Sequence, residues 1–313
     1  MSRVNAALLA ALVMWVNAPL LREGGLLGAP GTDAPRAAWG LAVTADALPG
    51  LPFWTDHVGF PVGVKLLALP MVSNVWGWPL HAALGPVLGY DAWILALTWA
   101  AGLAAALLVE EVSGSAAAGL LAGALLVVQP MLCLAISDGT PELVAFWGVP
   151  ATLLALWRAR RAAGLGWPIA AGLLGGATAL DSPYHAVFTL PFVPVAVWGT
   201  RPRNLVATAL AAGLAGAMIV VAYWGLPLSA SDENRATNST LVRVWWQWEH
   251  GTNKRPWDFT LGPGFIPVAT IAGALGLAAL RPLKALPWVL VAAACLALSL
   301  GPARDNVEQL AWL

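Results

Sequence analysis

Apolar stretches long enough to cross a lipid bilayer recur along most of this sequence, and they restrict the fold more than any other feature. The 313 residues are 59% hydrophobic and only 10% charged, whereas soluble domains carry about 25% charged residues. A membrane-spanning helix needs about 20 apolar residues. The sequence therefore predicts an all-α polytopic membrane protein with the lipid bilayer as a partner. The net charge of zero argues against a nucleic-acid partner.

About nine stretches have the composition of transmembrane helices. The first follows Arg3, and because no small-residue cleavage site comes after it, we interpret it as an uncleaved span rather than a secretory signal. The predicted spans are Val4–Leu21, Val87–Val109, Ala116–Ile136, Leu143–Trp157, Trp167–Leu180, Tyr184–Trp198, Leu205–Pro227, Phe265–Leu280 and Leu286–Leu300. Together they predict a single transmembrane domain over residues 1–313.

Short basic connections between the spans predict their orientation. In an alternating arrangement, three of these loops fall on the same side of the membrane as Arg3, and they carry Arg158, Arg160, Arg161, Arg201, Arg203, Arg281 and Lys284. Arginine and lysine accumulate in the short cytoplasmic loops of membrane proteins. We therefore expect an integral protein of the inner or plasma membrane with a cytoplasmic N-terminus. Most of the acidic residues then lie on the opposite face.

Two long polar loops, residues 22–86 and 229–262, fall on that opposite, extracytoplasmic face. The first loop is expected to contain short interfacial helices. It also contains an apolar stretch, Leu66–Leu84. Counting this stretch as a span would move every later basic loop to the extracytoplasmic side of the membrane. We interpret it as a re-entrant or interfacial segment that packs against the helix bundle, because irregular backbone at membrane depth is tolerated only where protein covers it. Any chemistry is expected on this face.

A Trp-rich stretch in the second loop predicts an amphipathic helix. Leu241, Val244 or Trp245, and Trp248 recur there at helical spacing, which is typical of a helix that lies on the membrane surface with its rings at headgroup depth. Two roles stay open for Trp245 and Trp248. They contact a lipid carrier or a sugar, or they anchor the loop in the headgroup region.

The order of motifs over roughly residues 1–200 resembles that of a known enzyme superfamily. The motifs are Asp33 after the first span, Trp39 on a predicted short helix, the aromatic, proline and glycine stretch 52–63, Leu84-Gly85-Pro86, Tyr90-Asp91 before a span ending at Glu110, and Ser137–Glu142 after the next span. This order resembles the GT-C superfamily of membrane glycosyltransferases, which includes aminoarabinose transferases and protein O-mannosyltransferases. It is most similar to uncharacterised bacterial members with a D-x-x-x-x-x-W first loop.

The resemblance implies transfer of a hexose or pentose from a polyprenyl-phosphate donor to an extracytoplasmic acceptor, with inversion at the anomeric carbon. The acceptor is a lipid, a glycan or a protein, and the sequence does not distinguish among them. The resemblance also implies that the first-loop aspartate, here Asp33, is the general base or positions the acceptor. Better-known members have Glu after this Asp. This chain has Ala34 instead, so the second carboxylate is missing from its usual place.

The chemistry of inverting transfer is consistent with these candidates. A base has to take the acceptor proton as the hydroxyl attacks, and a positioned base contributes about 10²–10⁴-fold. We hypothesise that Asp33 is this base and that three further carboxylates assist it or hold a divalent cation, magnesium or manganese: Asp56, Asp138 and Glu142. The candidate substrate-binding residues include cations suited to phosphate, and they are His57, Arg235, Arg243, Lys254, Arg255, Trp245 and Trp248.

Each carboxylate also has a structural interpretation. Asp33 precedes Ala34-Pro35 and suits the N-cap of a helix. Asp138 and Glu142 flank a turn, and Asp181, at the end of a span, caps a helix or lines a cavity. Two other classes of function stay open. One is a transporter or flippase, which the scarcity of charges within the spans disfavours, and the other is a membrane scaffold without activity. The chain is expected to be a compact member of the superfamily, a fragment, or the partner of a second protein.

Overall fold

The described part of the protein is almost entirely helical. The structure is a computed structural model that describes residues 3–22, 25–28, 31–48, 54–55, 64–65 and 70–223, all within the first of two compact units, Met1–Leu226. Two short strands, β1 (Trp54–Thr55) and β2 (Val64–Lys65), pair antiparallel. The helices are α1 (Arg3–Arg22), α2 (Ala34–Ala47), α3 (Met71–Ser113), α4 (Ala116–Val127), α5 (Pro130–Asp138), α6 (Pro141–Val144), α7 (Gly148–Ala159), α8 (Gly166–Asp181), α9 (Pro183–Thr189), a 3₁₀ turn (Leu190–Phe192), α10 (Val193–Val197) and α11 (Pro202–Tyr223).

Three helical stretches within these ranges are long and apolar enough to cross a membrane. They are Arg3–Leu21, Met71–Ser113 and Ala116–Asp138. They contain the first three predicted spans, so the predicted helical and apolar character is confirmed there. Helix α2 also confirms a short helix bearing Trp39 in the first loop. The last two predicted spans, Phe265–Leu280 and Leu286–Leu300, lie outside the described residues.

Two of the predicted spans are not continuous helices but are divided into shorter ones. The stretch Leu143–Trp157 is divided between α6 and α7 by a turn at residues 145–147, and α7 has 12 residues, a length of about 18 Å. The stretch Tyr184–Trp198 is divided into α9, the 3₁₀ turn and α10. Pro191 and Pro194 lie at these breaks, and proline lacks the amide that a continuous helix requires.

A sharp turn at Gly85 divides α3 into two parts. Gly85 has φ 78° and ψ −178°, a conformation that glycine adopts without steric cost. Gly77 lies against the ring of Trp93, and Gly89 lies against the backbone of His81. These contacts pair residues at similar distances on both sides of Gly85, so residues 71–84 fold back onto the helix that follows. The segment is helical rather than irregular, and it packs on its neighbour as expected. A re-entrant position in the membrane stays a prediction.

A carboxylate from a distant helix holds the start of α3. Asp181, the last residue of α8, accepts hydrogen bonds from the backbone amide of Ser73 at 2.9 Å and from its hydroxyl at 2.6 Å. Trp147 donates to the Ser73 hydroxyl, and Trp93 donates to the Ser73 carbonyl, both at 2.9 Å. Ser73 and Asp181 are fully buried. The residue that precedes α3 in sequence does not cap this helix with its side chain. Asp181 instead accepts from an amide in the first turn of α3, which confirms the interpretation that Asp181 caps a helix.

Small residues bring α8 and α11 close together. Gly172 lies against Ala211 and the carbonyl of Thr208, and Gly176 lies against Ala215. A side chain at either glycine would push the helices apart, and such small-residue contacts are characteristic of helix packing in lipid. Cys133 is buried and free, and Cys295 lies outside the described residues.

Candidate functional site

Asp33 lies at the start of α2, where its backbone and its side chain have separate partners. Its amide donates to the carbonyl oxygen of Asp138 at 3.0 Å. Its carboxylate makes no capping hydrogen bond to α2, although the residue occupies the N-cap position. Instead, a carboxylate oxygen lies 3.1 Å from a guanidinium nitrogen of Arg36, and the two side chains are 54% and 68% exposed. The side-chain cap proposed as an alternative for Asp33 is therefore not formed.

The turn after α5 comes into direct contact with the start of α2. Helix α5 ends at Asp138, and Gly139 follows with a left-handed φ of 69°, a common way to end a helix. A Cβ atom at Gly139 would overlap the backbone nitrogen of Ala34. Gly139 is thus required both for its backbone conformation and for the close approach, which brings the residues after α5 next to Asp33.

Glu142 belongs to the same neighbourhood. It is half-buried in the first turn of α6. Burial raises the pKa of its carboxyl group, an effect that the negative charge of Asp33 increases and that its own backbone amide and Arg36 oppose. Burial disfavours the charged form of an acid, and a nearby like charge does the same. The structure therefore brings Asp33, Asp138 and Glu142 together, from two segments far apart in sequence.

Tyr90 and Asp91 border this group of residues at the start of the second part of α3. A carboxylate oxygen of Asp91 accepts from the backbone amide of Leu27 at 2.7 Å, which holds the segment after α1. Tyr90 is fully buried, and its hydroxyl has no hydrogen-bond partner among the described residues. The charges of Asp91 and Glu142 both act on this hydroxyl.

Arg36, Tyr90 and Asp91 are site residues that were not predicted from the sequence. Arg36 follows Asp33 by three residues, and this spacing places two helical side chains on one face, so the ion pair was accessible from the sequence. Tyr90 and Asp91 entered only as part of a motif order. Polar residues at the start of an apolar span are a signal for function, and this signal would have selected both.

The remaining predicted site residues lie outside the described ranges. They are Asp56, His57, Arg235, Arg243, Lys254, Arg255, Trp245 and Trp248. Among the residues that the structure describes, no group of three or more His, Cys, Asp and Glu side chains is placed to hold a metal ion. Because Asp56 is one of the proposed ligands, a magnesium or manganese ion at this site stays a prediction.

His185 shows that not every buried polar side chain belongs to this group. It is buried, and its ring meets Phe146 edge-on with 5.0 Å between centroids. It also forms a hydrogen bond with the backbone of Ala145. His185 is therefore a packed, hydrogen-bonded histidine.

Comparison with known proteins identifies no relative, because no protein-family model, curated protein or solved structure matches the chain. The residues around Asp33 are therefore the main indication of a function.

Proposed function

We propose that the protein is a membrane glycosyltransferase of the GT-C type. It transfers a hexose or pentose from a polyprenyl-phosphate donor to an extracytoplasmic acceptor with inversion, and Asp33 is the general base. The proposal includes a bundle of about nine transmembrane helices, a cytoplasmic N-terminus, and two long extracytoplasmic loops. The second of these loops supplies cations for the lipid phosphate, namely Arg235, Arg243, Lys254 and Arg255.

The hydrogen bond between the Asp33 amide and the Asp138 carbonyl is the observation that carries the proposal. It joins the first predicted outer loop to the turn between α5 and α6. Each of these segments contributes acidic residues, and the contact between them is made by backbone atoms. A catalytic site assembled from loops on a helical scaffold needs such a contact, because several loops have to present groups to one substrate.

The environment of Asp33 suits a base that acts on an incoming hydroxyl. Its carboxylate is exposed, is not bound to the amides of α2, and pairs with Arg36. An exposed ion pair contributes only about 0–1 kcal/mol, so an acceptor hydroxyl displaces Arg36 at little cost. The carboxylate takes the hydroxyl proton as the oxygen attacks the anomeric carbon, and the phosphate leaves with the electron pair of the broken bond. Arg36, once displaced, is free to bind that phosphate.

Glu142 is proposed as the second carboxylate of the site. The superfamily pattern has an acid directly after the aspartate, where this chain has Ala34. Glu142 lies within electrostatic range of both Asp33 and Arg36, so a carboxylate from α6 takes the place of the missing neighbour. Its half-buried position suits a group that positions the acceptor.

The alternative of a transporter gains no support from the described residues. The best candidate for an ion relay would be the buried carboxylate of Asp181. Ser73 donates hydrogen bonds to both oxygens of this carboxylate, and the Ser73 hydroxyl also accepts a hydrogen bond from Trp147. This arrangement fixes the ends of helices and leaves no reason to assign Asp181 to a moving ion.

The test is donor cleavage by the full chain in proteoliposomes. Polyprenyl phosphates that carry labelled hexoses or pentoses are supplied together with a membrane extract as the source of acceptor. Release of free polyprenyl phosphate, with the sugar recovered in the opposite anomeric configuration, is the expected result. Movement of intact donor across the bilayer without cleavage would indicate a flippase. Neither cleavage nor movement of any donor would indicate a scaffold.

A further inference from the structure

Two short connections between helices meet at one end of the helices. Asp33 lies at the opposite end. One joins α7 to α8, and the other joins α10 to α11. The buried side-chain amide of Asn204 donates to the carbonyl oxygens of Ala159 at 2.8 Å and Ala162 at 3.2 Å. Arg203 donates to the carbonyl oxygen of Ala163. These bonds hold the two connections together and gather their arginines into one cluster.

The arginine cluster comprises Arg158, Arg160, Arg161, Arg201 and Arg203, and its positive charge is largely uncompensated. Arg158 pairs with Glu111 at 3.0 Å. None of the other four forms an ion pair within the part of the chain that the structure describes. The pKa of Arg160 is lowered, first by burial and then by the charge of Arg161. Like charges held this close favour the binding of an anion.

Tryptophan rings hold two of these guanidinium groups in place. Arg160 lies 4.3 Å from the ring centroid of Trp157, and Arg158 lies 4.7 Å from that of Trp167. Both distances are within the range of cation–π attraction. Arginines that served only to orient the helices during insertion would act through their number and their side of the membrane. They would not need fixed positions, so the stacked geometry indicates a further role.

The cluster borders an exposed apolar surface, which selects the kind of anion. On α11, directly after Arg203, the side chains of Val206, Leu210 and Leu214 recur every four residues and are all more than half exposed. Trp198, before Arg201, is 78% exposed. A soluble phosphate compound has no apolar part that would contact such a strip, whereas a phospholipid presents an anionic headgroup next to its acyl chains.

We propose that the arginine cluster binds the phosphate headgroup of an anionic phospholipid, whose acyl chains run along the exposed strip Val206–Leu214. Basic pockets between transmembrane helices bind anionic headgroups in this way, and each arginine near a membrane surface strengthens binding by roughly fivefold. The site does not depend on the glycosyltransferase proposal. It requires only that α7, α8 and α11 lie in a membrane.

Native mass spectrometry of the purified full chain tests this site. The protein is titrated with phosphatidylglycerol and, separately, with phosphatidylcholine of the same acyl chains. We expect saturable binding of phosphatidylglycerol only. Arg161→Gln and Arg201→Gln should each weaken it by roughly fivefold, and the double variant by roughly 25-fold. Both side chains are exposed, so the variants are expected to fold, which circular dichroism checks.

Arg3→Gln is the matched control, since Arg3 is also exposed but belongs neither to the arginine cluster nor to the site around Asp33. It should bind phosphatidylglycerol as the wild type does. Equal affinity for the two lipids would overturn the proposal. So would an equal loss in Arg3→Gln, which would indicate a general effect of net charge. Competition by inorganic pyrophosphate at the concentration of the lipid would overturn it as well, because the site would then take soluble phosphate.

Discussion

The backbone amide of Asp33 donates a 3.0 Å hydrogen bond to the carbonyl oxygen of Asp138. This bond joins the N-terminus of α2 to the C-terminus of α5 without using either carboxylate. Gly139 makes the contact possible, because only a residue without a Cβ atom fits against the backbone of Ala34. The position of Asp33 relative to Asp138 and Glu142 therefore depends on a glycine that carries no chemistry of its own.

Gly139→Ala should separate the two segments. The substitution adds left-handed strain of about 1–2 kcal/mol and a clash with Ala34 that costs about 1–3 kcal/mol more. Gly114→Ala is the matched control, because Gly114 has a similar φ of 74° and open space around it. Unfolding in detergent should show the smaller loss of stability for Gly114→Ala. Equal losses in the two variants would contradict the close contact at Gly139.

Glu142→Gln should change how stability depends on pH. The folded state raises the pKa of Glu142 and so binds its proton more tightly than the unfolded chain does. The stability linked to this proton is present below the ordinary glutamate pKa and is lost as pH rises through the folded value. Glutamine removes this loss, so the variant should gain stability relative to the wild type as pH increases.

Melting temperatures of both proteins between about pH 4 and pH 8, which brackets the ordinary glutamate pKa, test this prediction. Asp46→Asn, an exposed acid at the other end of α2, serves as the control. Curves for Glu142→Gln and wild type that stay parallel over the whole range would contradict a raised pKa at Glu142.

Ser73→Ala should destabilise the protein strongly. The hydroxyl of Ser73 donates to Asp181 and accepts from Trp147, so its removal leaves the buried carboxylate and the indole N–H each with one partner fewer. The expected loss is about 2–4 kcal/mol. The control is Ser113→Ala, whose exposed hydroxyl donates to the Val109 carbonyl and accepts from the Ser115 amide and whose effect should stay within about 0.5 kcal/mol. Similar melting temperatures for the two variants would exclude a structural role for Ser73.

Apolar length and charge predicted most helices of the described part from the sequence. Apolar stretches predict helices because the backbone has to satisfy its own hydrogen bonds inside a bilayer. Helices α1, α4 and α5 lie where this rule predicted them. The breaks around Pro191 and Pro194 were accessible from the same sequence, since proline cannot continue a helix. The turn at Gly85 was signalled by the Gly-Pro pair, although its fold-back geometry was not.

Contacts between distant segments could not be read from the sequence. Nothing near Asp181 in the chain identifies Ser73 as its partner, because the hydrogen bond forms only when α8 packs beside the start of α3. The same holds for Asp33 and Glu142. Their types suggested chemistry, and the sequence offered them as separate candidates, but their proximity follows from the turn at Gly139. Local patterns specify helices, whereas the site depends on tertiary packing.

The role of Asp33 is tested most directly by donor cleavage in Asp33→Asn. Wild type, Asp33→Asn and the control Asp46→Asn are compared in proteoliposomes with the labelled polyprenyl-phosphate sugar that the wild type cleaves. Loss of a general base should lower turnover by about 10²–10⁴-fold in Asp33→Asn, with an unchanged melting temperature, while Asp46→Asn keeps wild-type activity. Wild-type turnover in folded Asp33→Asn would contradict the assignment of Asp33 as the catalytic base.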